Sequence, residues 1–297
     1  MGGTSGHVSL GLAFLIIGLW HLFNSIKLHS LHPKSYSTLP WFPISKLRYL
    51  EPITIMLVTF IFISSELLIN RKPISPDGTL ISSKSLPHLE HSIIALSFFV
   101  SAFFSILLDK TGPGHNGLVH FLQAIAFGQQ LLILHLHSTD HMGIEGQYHW
   151  LLQIVTFVSL ISTTFLAIGY TKNFMISFVR AFSVVFEGVW LIVTGVMLWT
   201  PSLLPKGCYL KSGMGRVGVL CHGDLALDRA KALVNILFGL CLIVLTVFSM
   251  SVYLVMIKFY SQEKVEYLSL SKFEEQDEGD CNVGAQQIPQ STISLPM

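Results

Sequence analysis

Residues 135–149 read HLHSTDHMGIEGQYH, a short polar island between two apolar runs, 116–136 and 149–169. Each run supplies the roughly 20 apolar residues that a helix needs to cross about 30 Å of hydrocarbon. His137, His141, Glu145 and His149 recur in the island every fourth residue. On a continuous helix that spacing stacks side chains on one face. Gly143 and Gly146 argue that the preceding helix does not run far, so Glu145 and His149 are expected to return from a turn. The island therefore reads as the link between two membrane-spanning rods, with the chain's best concentration of metal or proton ligands on it.

Outward from this link, the same test finds apolar runs at 8–26, 50–69, 89–109, 179–199 and 230–257, seven in all. Composition agrees. The chain is 51% hydrophobic and only 12% charged, with a mean hydropathy of +0.61. A soluble domain carries about 25% charged residues, so much of this surface is expected to face lipid. The fold class expected is an all-α membrane bundle of about seven helices, spanning residues 1–259. A net charge of +1 gives no footprint for nucleic acid. Residues 260–297 are rich in Glu, Asp, Gln, Ser and Pro. They cannot bury enough apolar surface to fold alone, and are expected to form a disordered acidic tail available to protein partners.

Met1–Gly6 lacks the basic region of a cleaved signal, so the first run reads as a retained helix. Gly6 stands where a myristoylation signal needs Ser or Thr. If the helices alternate, the 18 Lys and Arg divide ten to eight, leaning toward an outside N-terminus and a cytoplasmic C-terminus. Cys208 and Cys221 in the longest link, 200–229, suit a disulfide on an oxidising side. Cys241 and Cys281 read as free thiols. The expected location is the plasma membrane or secretory pathway.

Ionisable residues inside hydrocarbon cost about 2.5–3.5 kcal/mol each and ask for a local reason. Counting crossings gathers His7, Glu66, Glu90, His91, His137, Glu145 and His149 at one face of the bundle, whichever way up it sits. His91, His137, Glu145 and His149 are the candidate metal ligands, with zinc the ion that imidazole and carboxylate suit. A zinc-bound water attacks an ester or amide, and Glu66 or Glu90 is the candidate base. The pattern is neither HExxH nor a Cys-paired zinc motif. Glu187, in the middle of the sixth run, must be paired or protonated.

GHVSLGLAFLIIGLW (6–20), EPITI (51–55), the 135–149 island and EGVWLIVTGVMLWTP (187–201) together resemble the transmembrane protein 45 family, in its plant branch. The resemblance implies a multi-pass membrane protein of about seven helices with no settled chemistry. It also implies that His137, Glu145 and His149 are the shared positions, with Asp replacing Glu in animal relatives, and that His141 is not shared. Three functions follow as expectations. The leading one is a non-catalytic membrane scaffold or trafficking protein, its His/acid cluster tying helix ends together. The alternatives are a zinc-dependent hydrolase acting on a lipid, by topological analogy with ceramidase-type enzymes, and a proton-coupled carrier or channel using Glu66, Gln129 and Glu187.

Overall fold

The computed structural model describes residues 4–44, 46–69, 86–112, 114–138, 143–213 and 216–283. The side chains of Ile69, Pro87, His137, Ser138, residues 212–213 and 216–217, and those after Tyr260 are excepted. Among the described residues, seven helices are long and apolar enough to cross a membrane. They are α1 (Thr4–Leu31), α2 (Leu50–Ile69), α3 (Leu86–Thr111), α4 (Asn116–Ser138), α5 (Ile144–Ala167), α6 (Phe174–Trp199) and α7 (Asp224–Val283). Hydrocarbon forces the helical choice, because it offers no partner for an unsatisfied backbone amide.

α6 is the central rod: 67% of its membrane-length window is buried, against 11% for α7. Asn173 starts it, its Oδ1 accepting from the amides of Met175 (2.9 Å) and Ile176 (3.3 Å). Trp190, fully buried on α6, stacks on Tyr148 of α5 and donates its Nε1–H to the Tyr148 carbonyl at 3.0 Å. α2, α3, α4, α5, α6 and α1 pack in that order, each on the next, and α7 lies against α1, α5 and α6. α1 and α2, the two ends of this series, barely touch.

Glycine sets the tightest seam. Gly11 and Gly18 on α1 face Gly188 and Gly195 on α6. A methyl group on Gly11 would stand 2.7 Å from the Gly188 carbonyl, and one on Gly18 would stand 2.6 Å from the Val185 amide nitrogen. On Gly195 it would stand 2.8 Å from His7 Cβ, and on Gly188 it would overlap the Leu15 backbone. Without hydrophobic pressure between helices, this close backbone approach supplies the packing attraction.

Both faces carry structured links. On the N-terminal face, β1 (Cys208–Gly213) and β2 (Arg216–Cys221) form an antiparallel hairpin, with Cys208 opposite Cys221 and bonded to it. The strands themselves were not expected. On the opposite face, residues 32–44 fold back over the bundle and bury Tyr36, Thr38, Trp41 and Phe42. Arg48 donates twice to Asp109, at 2.9 and 2.8 Å, and the Tyr49 hydroxyl donates to the same carboxylate at 2.8 Å. These bonds tie the start of α2 to the end of α3. The backbone of α7 continues as helix through Val283, beyond the expected boundary at 260, while residues 284–297 lie outside the described residues.

Candidate functional site

Three polar layers cross the bundle, and the expected site is the one at the N-terminal face. α1, α3 and α5 bring His7, His91 and His149 together there. The ring centroids of His7 and His149 are 5.9 Å apart, and those of His7 and His91 are 6.5 Å apart. His7 also packs on Trp199 at the end of α6, at 4.8 Å. His149 is buried, and its Nδ1–H donates to the Glu145 carbonyl at 2.8 Å. That bond exists because α5 begins at Ile144, not 149, so the two residues lie one helical turn apart on α5 and neither has to return from a loop. The Glu145 carboxylate points toward Gly218 of β2.

Glu66, the candidate base, is 1% exposed at the end of α2, with His88 Nδ1 of α3 only 2.5 Å from its Oε2. His88 did not figure among the candidates; its position immediately before the 89–109 run, facing the end of the second run, was the available signal. Glu90 is half-buried on the same turn of α3. On α4, His135 Nδ1 lies 3.2 Å from Gln153 Oε1 of α5. The His137 side chain and the whole of His141 lie outside the described residues. Among the described residues, no three His, Cys, Asp or Glu side chains converge closely enough to hold a metal ion.

The middle layer belongs to Glu187, fully buried on α6. It accepts from Gln130 of α4 through the amide nitrogen, from the Thr156 hydroxyl at 3.0 Å and from the Ser159 hydroxyl at 3.5 Å. The pairing that Glu187 was expected to need is supplied by an amide and hydroxyls, from Gln130, Thr156 and Ser159.

Of the third layer, the sequence marks Glu51 as an ionisable group in an apolar run and His120 at the start of the fourth, but not the pairing with His21. His21 of α1 and Glu51 of α2 are both buried, with Nε2 and Oε1 2.6 Å apart; the other Glu51 oxygen accepts from the Phe42 amide at 3.1 Å. Arg180 sits nearly two turns inside α6, 8% exposed, and donates from Nη2 to Gln123 Oε1 at 3.0 Å. The expected run 179–199 puts Arg180 at its edge; α6 starts at Phe174, which draws Arg180 into the bundle. His120 is also completely buried, with the Gln123 amide as its polar neighbour. Beside this layer, between α1, α2, α3, α4 and α6, lies a cavity of about 210 Å³. Leu10, Phe14, Phe62, Phe98 and Phe127 form its apolar walls, and His91 closes it toward the N-terminal face.

Residues 116–254 match a family of unknown function, DUF716. The DUF716 region runs from α4 into α7 and carries Glu145, His149, Arg180, Glu187 and the disulfide hairpin. His7, Glu66, His88 and His91 precede it. No curated protein matches the chain.

Proposed function

We propose that the protein is a non-catalytic membrane scaffold or trafficking component, whose imidazoles and acids tie helix ends together at the N-terminal face. The observation that carries this reading is how these groups are engaged. His149 donates to the Glu145 backbone carbonyl one turn back on α5, His88 holds Glu66 across α2 and α3, and His7 is wedged between Trp199 and His149. Each contact joins a helix end to its neighbour or fixes its first turn. The transmembrane protein 45 resemblance, the plant branch and an acidic tail that recruits protein partners belong to the same proposal. An N-terminus on the outer or luminal side fits the disulfide hairpin beside it, since such bonds persist in oxidising compartments.

A second reading, the zinc-dependent lipid hydrolase, is favoured by one feature: imidazoles from three different helices share one face, with the His149 and His91 ring centroids 5.9 and 6.5 Å from that of His7. The His137 backbone ends α4 on the same face. Metal analysis of the full chain purified without chelators separates the two. The scaffold predicts less than a tenth of an equivalent of zinc, unchanged in a His137→Ala/His149→Ala variant, while His88→Ala lowers the melting temperature. Near-stoichiometric zinc lost in the double variant would overturn the scaffold.

A further inference from the structure

The cavity at the third layer has the chemistry of a receptor. Its walls are aromatic and aliphatic, so they do not hold water well, and an empty volume of this size forfeits packing contacts on every side. Measured along α1 from Leu10 to His21, it runs for about 16 Å. That is close to half the ~30 Å hydrocarbon thickness, the depth of one leaflet. Only at its deep end does it become strongly polar, where His21, Glu51, Gln123 and Arg180 line it.

These four groups differ in what they have left to offer. Glu51 is already engaged by His21 and the Phe42 amide. Arg180 is not. A guanidinium has five N–H donors, and among the described residues Arg180 uses one, on Gln123. No described carboxylate lies within ion-pair distance of it; Glu51 is within electrostatic reach but paired with His21. A buried cation without a counter-ion is costly, and the spare donors form a fork suited to a carboxylate. Access exists too: α1 and α2 barely touch, and Ile16, on the wall at that seam, is 63% exposed on the lipid side.

We infer that this cavity binds one long-chain fatty carboxylate, entering between α1 and α2, with its head on Arg180 and Gln123 and its tail directed toward His91. The head supplies the missing anion, and the tail replaces the lost packing contacts. The inference stands apart from the scaffold reading, since it uses none of the imidazoles at the N-terminal face except as the far end of the cavity.

Native mass spectrometry of the delipidated full chain in detergent, titrated with oleate, oleyl alcohol or oleoyl lysophosphatidate, tests it. The expected result is one saturable oleate per chain. Arg180→Gln should weaken oleate about 10- to 100-fold, the range for a lost hydrogen bond to a charged group, while leaving oleyl alcohol unchanged. Ala102→Phe, which narrows the channel without touching Arg180, should abolish both. Arg180→Lys retains charge and should restore part of the oleate affinity, separating head-group recognition from misfolding. Several results would overturn the inference: no saturable binding, oleate affinity insensitive to Arg180→Gln or Ala102→Phe, sensitivity to His91→Ala in place of Arg180→Gln, or tighter binding of the phosphate head than of the carboxylate.

Discussion

Helix α1 has two unlike flanks. Against α6 it lies backbone to backbone over Gly11, Gly18, Gly188 and Gly195, with no room for a methyl group. Against α2 it leaves a cavity lined with Phe, crossed near one end by the His21–Glu51 pair. The first seam is held by shape alone and the second by one polar clamp. Small residues make a permanent joint in a membrane because lipid competes poorly with close-fitting backbones. A clamp over a void instead leaves a place that something else can occupy.

Substitutions sharpen the contrast. Gly188→Leu has the largest expected effect: its side chain meets the Leu15 backbone, which cannot step aside, so α1 and α6 must part. No monodisperse folded protein should elute on size exclusion in mild detergent; normal recovery would show that the glycine seam is not what holds α1. His21→Leu comes next. It leaves Glu51 buried with only the Phe42 amide, and stripping one partner from a buried pair costs about 3–5 kcal/mol. A clear drop in melting temperature is expected, and His21→Leu/Glu51→Leu should recover most of it, because removing both charges also removes the desolvation penalty. Failure of the double variant to recover would mean the pair does more than close this seam. Ala95→Leu, into the cavity wall, should be the mildest, within about 1.5 kcal/mol of the parent. A loss as large as that of Gly188→Leu would mean that the cavity side is as tightly packed as the glycine side.

How far the sequence reached follows the same division. The rods were legible because runs of apolar residues long enough to span a bilayer have few other readings, and counting crossings correctly set His7, Glu66, His91 and His149 on one face. Two cysteines in one link left the disulfide open, because proximity in sequence permits the bond without requiring it; the strand pairing brings them together. Arg180 was hidden because a charge at the edge of an apolar run looks like a loop residue; only the true start of α6 at Phe174 takes it inside. His21 passed as one polar letter in a long apolar run, since its partner Glu51 is thirty residues away and hydropathy says nothing about pairing. The hairpin was missed because six-residue strands between glycines resemble an ordinary link.

The glycine seam also bears on how the chain is made. Gly11 emerges from the ribosome long before Gly188, and at about 5–20 residues per second the interval is on the order of 10–30 s. Throughout that time α1 sits in the bilayer without its match, its small-residue groove filled by lipid tails or a chaperone. Assembly therefore cannot proceed strictly from first helix to last: the ribosome must deliver the sixth rod before the first finds its place, and a chain truncated before Gly188 would leave α1 stranded.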